Sequence, residues 1–133
     1  IEAMFEAMAY ELAPFGVDVT IMQPGGYPTA IWKSGAGYFE TLLDGLDDER
    51  KSAYAAHQQM ARGLMTGERR TDPMDVPLAL AELIAAPPGK RPLRRPVHPD
   101  TRATQALNTA HDEVQAMAMS AGPYKSWRDA VSD

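Results

Sequence analysis

The sequence predicts an α/β fold, and three neighbouring features near its start support that prediction. Residues 1–13 carry apolar side chains at helical spacing, and a Pro-Phe-Gly sequence stops the pattern at residues 14–16. Residues 17–23 are rich in β-branched side chains, as strands are. A Pro-Gly-Gly turn follows at once, at residues 24–26. A helix, a tight turn, a strand and a glycine pair in this order are typical of an open α/β sheet.

The rest of the chain predicts further helices and one more short strand. The expected elements are a loop over 25–37 that contains Trp32, a short helix over 38–43, a helix capped by Asp47 or Asp48 and running to about 65, a polar connector over 66–71, a helix capped by Asp72 and running to 86, a short strand over 93–97, and a helix capped by Asp100 and running to about 119. Pro96 makes the second strand an edge strand or irregular structure. Two short strands form a poor sheet alone, so we expect strand 17–23 to have a parallel partner outside this sequence.

Composition bounds the classes of protein that fit. The chain has 133 residues, enough for one domain, and no cysteine, which excludes disulfides and thiolate metal sites. No run approaches the ~18 uninterrupted apolar residues of a membrane span. The net charge of -5 argues against a nucleic-acid partner. We therefore expect a cytoplasmic protein without membrane or nucleic-acid partners.

The glycine pair marks a candidate ligand site. Ligands of open α/β sheets bind outside the carboxyl ends of the parallel strands, where Gly25 and Gly26 stand. Without Cβ atoms, the backbone there can approach a flat ring closely. Thr29 offers a hydroxyl to a ligand amide. The alternative is an ordinary glycine-rich loop that leaves a strand.

Residues 10–26, Tyr-Glu-Leu-Ala-Pro-Phe-Gly-Val-Asp-Val-Thr-Ile-Met-Gln-Pro-Gly-Gly, resemble the sixth-strand region of the classical short-chain dehydrogenases/reductases. Pro24, Gly25 and Thr29 match that family's motif position by position. The similarity resumes at residues 72–76 (Asp-Pro-Met-Asp-Val) and continues through residues 88–94, so it covers roughly residues 1 to 100. The resemblance implies the C-terminal portion of a Rossmann-like doubly wound parallel sheet with a helical substrate-binding lobe.

The resemblance also implies a division of labour along the chain. It assigns a helix, a strand and the nicotinamide loop to 1–30, the substrate lobe to 31–71, a helix and the last strand to 72–100, and a C-terminal helix and tail to 101–133. The implied activity is that of an NAD(P)-dependent oxidoreductase, which transfers hydride between nicotinamide and a carbonyl or alcohol substrate. The cofactor would be NAD or NADP.

Two sets of residues are candidates for this chemistry. The resemblance places the first set in the wall of the nicotinamide pocket, and this set consists of Pro24, Gly25, Gly26, Tyr27 and Thr29. It implies that the Thr29 hydroxyl bonds the carboxamide of nicotinamide. The second set consists of apolar side chains of the lobe, which as a group suit an apolar substrate, although packing on the sheet explains any single one of them better. These residues are Ile31, Trp32, Tyr38, Phe39, Tyr54, Met60, Leu64 and Met65.

Several motifs of the family have no counterpart in this sequence. These are the glycine-rich phosphate loop, the catalytic Ser and the Tyr-x-x-x-Lys pair, and Ile1-Glu2-Ala3 resembles the residues just after that Lys. No capping residue precedes the first helix. We therefore expect this chain to be the C-terminal part of an enzyme, and the 133 residues alone to bind no NAD(P)H and to be inactive. The alternative is a non-catalytic helical interaction or oligomerisation module derived from that fold.

The first helix predicts a subunit contact. The apolar stripe of this helix is too wide to cover only one face of a sheet, and it consists of Ile1, Met4, Phe5, Met8 and Leu12. The resemblance implies that this helix takes part in a dimer bundle. Packing of the helix on the sheet is compatible with that role. We expect a homo-dimer or tetramer.

The histidines and the one basic cluster suggest no site. His57, His98 and His111 lie on separate elements without a short ligand spacing, so we expect no metal. The basic cluster is predicted to be a solvated turn: Lys90, Arg91, Arg94 and Arg95.

Overall fold

The computed structural model describes residues 1–131, which form two compact units. The first unit comprises Ile1–Gly25 and the chain from Met74 onward, and the second comprises Gly26–Pro73. The first unit contains α1 (Glu2–Leu12), a 3-10 turn (Ala13–Phe15), β1 (Ile21–Pro24), α5 (Asp75–Ala85), β2 (Arg94–Val97), α6 (Arg102–Ala118) and α7 (Lys125–Val131). The second contains α2 (Ala30–Asp44), α3 (Asp48–Ala53) and α4 (Ala55–Thr66).

The fold is α/β and mostly helical, with a two-stranded parallel sheet in the first unit. β1 pairs with β2 in a register that runs from Ile21 opposite Arg94 to Pro24 opposite Val97. Backbone bonds continue the ladder beyond both ends, from Ile21 N–H to the Leu93 carbonyl (2.7 Å) and from Gly25 N–H to the Val97 carbonyl (3.0 Å). The expected second strand, including Pro96, is therefore confirmed.

Helices lie on both faces of this sheet. Successive side chains of a strand point to opposite faces of the sheet. Gln23 and Arg94 point to one face, where they contact residues of α1 and α6. Arg95, the next residue of β2, instead pairs with Glu82 of α5. The small apolar core consists of Ala9, Ile21 and Leu93.

The first strand is shorter than its sequence predicts. Residues 17–20 are not part of β1, because their side chains hold them to the turn before β2. Asp18 accepts hydrogen bonds from Gly89 N–H (2.9 Å) and from the Arg91 guanidinium (2.7 Å), and the Thr20 hydroxyl donates to the Pro92 carbonyl (2.8 Å). Side-chain bonds thus replace the backbone ladder that β-branched composition predicts.

The prediction of a loop over 25–37 is wrong from Ala30 onward, because α2 begins there and includes Trp32. Its glycines weaken a helix, but α2 packs along α4. The Arg62 guanidinium donates two charge-assisted hydrogen bonds, of 2.7 and 2.9 Å, to the Glu40 carboxylate and so joins the two helices. These bonds lower the pKa of Glu40. Tertiary contact therefore outweighs the local preference.

The predicted helix caps have different outcomes. Asp47 caps α3 as expected, accepting from Arg50 N–H at 2.8 Å, but the helix to 65 breaks at Tyr54 into α3 and α4. α5 begins at Asp75 with Met74 at its N-cap position, so this helix starts later than the sequence predicts. Asp100 accepts from the backbone N–H of the second residue after it, yet the residue at the start of α6 is Thr101.

A buried polar cluster joins α1, β2 and α6. Glu6 and Arg94 are 4% and 9% exposed, and Glu6 Oε2 lies 2.9 Å from Arg94 Nη2. The Tyr10 hydroxyl donates to Glu6 Oε1 at 3.0 Å. His111 Nδ1 of α6 lies 3.3 Å from Arg94 Nη2 and 3.6 Å from Glu6 Oε1. Burial, reinforced by the bond to the Glu6 carboxylate, raises the pKa of Tyr10 to about 12, so its hydroxyl remains a donor at neutral pH.

The expectation of a solvated basic turn is wrong for two of its four members. Arg94 is buried in the cluster with Glu6. Arg91 donates to the Leu83 and Ala86 carbonyls, each at 2.8 Å, and so satisfies the last carbonyls of α5. Both arginines hold the fold together.

The apolar stripe of α1 is largely exposed. The residues of α1 that are buried are Glu6 and Ala9, whereas Ile1 is 95% exposed, Met4 56%, and Phe5 and Met8 37% each. Ile1 and Met4 are therefore exposed, whereas Phe5 and Met8 are mostly covered, so packing of the helix on the sheet and a subunit contact remain compatible. No helix within residues 1–131 is both long and apolar enough to cross a membrane.

Replacing Arg94 by Met should destabilise the protein by about 3–5 kcal/mol, because Glu6 would be left as a buried charge without its cation. Arg95→Met is the matched control, since Arg95 pairs with Glu82 at the surface and should contribute ~0–1 kcal/mol. Urea unfolding followed by circular dichroism measures both losses. Equal losses for the two variants would contradict the structure of the cluster.

Candidate functional site

The carboxyl edge of the parallel sheet brings together Gly25 and His98. Pro24 and Val97 are register partners at the ends of β1 and β2, so the residues that follow them emerge side by side. A Cβ atom built on Gly25 would lie 2.4 Å from His98 Cδ2 and 2.7 Å from Cγ. A flat ring does lie against Gly25, but it is an imidazole of the chain itself. The position requires glycine for that reason.

The loop after β2 orients His98. The Asp100 backbone N–H donates to His98 Nδ1 at 3.1 Å. The Arg102 guanidinium bonds both Asp100 carboxylate oxygens, at 2.9 and 2.7 Å, and holds the pKa of that carboxyl below its usual range. A cavity of about 560 Å³ adjoins this loop and is lined by α5, by residues 95–99, and by Thr101 and Gln105.

The second half of the loop, Gly26 to Thr29, belongs to the second unit and is fixed there by its backbone. The Thr71 hydroxyl donates to the Gly26 carbonyl at 2.9 Å. The Tyr27 carbonyl accepts from Trp32 Nε1 (2.7 Å) and from Thr29 N–H (2.9 Å), and Tyr27 itself is buried. These bonds tie the backbone of Gly26 and Tyr27 to Thr71 and to the start of α2.

Thr29 stands at the N-cap position of α2, with extended backbone angles (φ -114°, ψ 165°). Its side chain is exposed and makes no capping hydrogen bond to the helix. A Thr at this position ordinarily accepts from the backbone of the first turn. The Thr29 hydroxyl is therefore not committed to the helix that follows.

The Trp32 ring is covered by Arg69, which was not among the residues predicted from the sequence. The Arg69 guanidinium carbon lies 3.4 Å from the centre of the Trp32 ring. Arg69 Nη1 donates to the Gly67 carbonyl at 2.8 Å, and Nη2 donates to the Leu64 carbonyl at the end of α4. A Cβ on Gly26 would lie 3.6 Å from Arg69 Nε, so Arg69 borders the loop. No local pattern predicts this arrangement, since Arg69 follows Trp32 by more than thirty residues.

The apolar candidates of the lobe divide into two groups. Trp32, Phe39 and Met65 are half-buried. The others are exposed on the surface of α2 or in the region of α3 and α4: Ile31, Tyr38, Tyr54, Met60 and Leu64. A role of either group in substrate binding stays a prediction.

The histidines lie on different elements, as their spacing indicates. His57 is on α4, His98 follows β2 and His111 is on α6. Within residues 1–131, no three His, Cys, Asp or Glu side chains are gathered so that they could hold a metal ion. His98 is nevertheless part of the candidate site, which its place directly after the second strand could have indicated.

Comparison with known proteins gives one informative relative. The chain is 34% identical over 80 residues to an uncharacterized oxidoreductase, YusZ, of Bacillus subtilis (strain 168). The match covers 57% of this chain and 26% of that protein, so the chain spans about a quarter of the length of the curated relative it matches. No family model matches the chain, and no solved structure resembles it significantly. The likeness supports a relationship to an oxidoreductase.

Gly25→Ala should destabilise the protein by about 1–3 kcal/mol, because the added methyl group overlaps the His98 ring. Adding His98→Ala should remove most of that loss, which thermal unfolding of the four proteins in a double-mutant cycle measures. Gly35→Ala is the control, since no atom lies within 4 Å of a Cβ there and α2 should not lose stability. A Gly25→Ala loss that His98→Ala does not relieve would contradict this packing.

Proposed function

We propose that the protein containing this chain is a cytoplasmic NAD(P)-dependent oxidoreductase of the short-chain dehydrogenase/reductase type. Its reaction would be hydride transfer between nicotinamide and a carbonyl or alcohol. One observation supports this most strongly: the Pro-Gly-Gly loop leaves the carboxyl end of a parallel strand, where ligands of such sheets bind. The likeness to a protein named as an oxidoreductase agrees with it. The Rossmann-like sheet and the activity of the whole protein are part of this proposal.

The loop residues fit the nicotinamide end of the cofactor in one specific respect. The carboxamide of nicotinamide needs polar partners, and the exposed Thr29 hydroxyl is not used by the helix it precedes. Pro24, Gly25, Gly26 and Tyr27 are the other residues for which we propose contact with the cofactor, and hydrogen bonds hold the backbone of the last two. When bound, nicotinamide supplies or accepts the hydride, and these residues orient it. Gly25 is explained by His98, so the close approach of a cofactor ring is not needed to account for it.

Thr29→Val should weaken transition-state stabilisation by about 0.5–1.5 kcal/mol, the value of one net hydrogen bond. The measurement is the oxidation of NADH and NADPH at 340 nm by the whole protein with a panel of aldehydes and ketones. The loss should appear in the cofactor KM and kcat, with unchanged stability. Thr41→Val is the control, because the Thr41 hydroxyl bonds only its own helix, at the Gly37 carbonyl.

Two outcomes would count against the proposal. Absence of NAD(P)H binding and oxidation by the whole protein would reject the oxidoreductase function. Activity that Thr29→Val and Thr41→Val leave equally unchanged would reject the role of Thr29 and make it a turn residue.

The exposed stripe of α1 favours a second role, that of an oligomerisation surface, which is compatible with the first. Met4 and Met8 lie beside Ile1 and Phe5 on the outer side of α1, and Glu6 and Ala9 face inward. Contiguous apolar patches of this kind mark partner surfaces. A closed two-fold arrangement would let two copies cover each other.

The double variant Met4→Glu, Met8→Glu should convert a dimer or tetramer into a monomer, because it places like charges opposite each other across the two-fold axis. Sedimentation velocity at micromolar concentration measures the change. Leu107→Glu, at an exposed apolar position on α6, is the control. A monomeric wild type, or a double variant that stays assembled, would show that α1 is not the interface.

A further inference from the structure

Arg69 differs from every other arginine in the described part of the chain. Each of the others forms an ion pair with an aspartate or glutamate. Arg69 has no carboxylate partner among residues 1–131, and its sequence neighbour Glu68 pairs with Arg70 instead, at 3.0 Å. Within the described residues 1–131, Arg69 is therefore a half-buried guanidinium without a counter-charge.

The contacts of Arg69 fix its orientation without using all of its hydrogen-bond donors. The Trp32 ring covers one face of the guanidinium, and the Trp32 ring is itself held by its bond to the Tyr27 carbonyl. A guanidinium has five N–H donors. The Gly67 and Leu64 carbonyls each accept from one Nη nitrogen, so Nε–H and a second N–H on each Nη have no hydrogen-bond acceptor within residues 1–131. Stacking of this kind leaves the in-plane donors usable.

The remaining donors suit a carboxylate. Arginine binds carboxylates through two parallel N–H bonds, and such charge-assisted bonds are shorter and stronger than neutral ones. Partial burial against Trp32 reduces the screening of the charge by water. The bonds to two carbonyls and the aromatic ring fix the side chain beforehand, which lowers the entropy that an arriving anion would have to overcome.

We propose that Arg69 binds the carboxylate of an acidic organic substrate, a carbonyl compound or alcohol that carries a carboxylate group. Arg69 Nε borders Gly26, in the loop for which we propose contact with nicotinamide. The identity of the substrate class rests on that proposed function. The binding of a carboxylate at Arg69 does not.

A purely structural role makes a different prediction. Arg69 also satisfies carbonyls at the end of α4, and it would stabilise the second unit by this alone. In that case its removal would lower stability and would not distinguish acidic from neutral ligands. The test must therefore compare ligands that differ only in charge.

Binding is measured first, with the whole protein, sodium benzoate as the anion and benzamide as its neutral analogue. The chain has two tryptophans, so Trp127→Phe leaves Trp32 as the fluorescent reporter in this chain. Benzoate should change the fluorescence saturably and benzamide should not. Arg69→Gln should weaken benzoate binding by roughly tenfold to a hundredfold, the range for hydrogen bonds to charged groups.

Two further variants make the result specific. Arg70→Gln is the control, since it removes a neighbouring positive charge that is already paired with Glu68, and it should leave benzoate affinity within about twofold. Arg69→Lys keeps the charge and should retain weak binding while losing the bidentate geometry. Circular dichroism confirms that each variant is folded. Equal benzoate affinity in wild type, Arg69→Gln and Arg70→Gln would overturn the proposal.

Turnover then tests the substrate class, with NAD(P)H and either 4-carboxybenzaldehyde or benzaldehyde. Wild type should prefer the acidic aldehyde in kcat/KM. Arg69→Gln should lose that preference through KM, whereas the control Arg70→Gln should keep it. NAD(P)H oxidation without acid preference, together with no benzoate binding, would overturn the Arg69 proposal alone. Benzoate binding without any NAD(P)H oxidation would support Arg69 and overturn the oxidoreductase function.

Discussion

The buried ion pair between Glu6 and Arg94 is the constraint on which the first unit depends. A buried charge that loses its partner is costly, so α1 and β2 must stay together wherever both are folded. Arg94 sits opposite Ile21 in the strand register, and a slip by one residue would turn its side chain to the other face. Tyr10 and His111 complete the cluster from α1 and α6. One polar group thus fixes both the helix that covers the sheet and the pairing within it.

The same constraint explains why α1 exposes its apolar side chains. Glu6 must face the sheet to reach Arg94, and the residues on the opposite side of the helix then point outward. Gln23 reinforces this orientation, because its amide bonds Glu2 at the start of α1 and also pairs with Asn108 of α6. The exposure of Met4 is therefore a geometric consequence of the buried pair. The buried residues Glu6 and Ala9 mark the side of α1 that faces inward.

Local signals predicted much of the fold, and long-range pairings account for what they missed. Asp47 as a cap, the stop at Gly16, and the parallel strand that contains Pro96 depend on neighbouring residues, and all three are found. Residues 17–20 leave the strand because of bonds to a turn some seventy residues away. Trp32 lies in a helix because α4 packs along that helix. Arg69, which covers the Trp32 ring, is too far away in sequence for a local pattern to predict the contact. The candidate site could be located by its glycines, but the groups that line it could not.

The two glycines of the loop have different physical reasons, and this changes how the site can be altered. Gly25 is needed because His98 fills the space of a side chain, so its substitution acts on packing at the end of β1. Gly26 has ordinary room for a Cβ, and its surroundings are polar, with Thr71 bonded to its carbonyl and Arg69 beside it. A methyl group at Gly26 is therefore compatible with the fold and would lie at the rim of the unpaired guanidinium. A substitution at Gly25 therefore acts on the packing at the end of β1, whereas one at Gly26 would act on the proposed ligand contacts and leave the strand pairing intact.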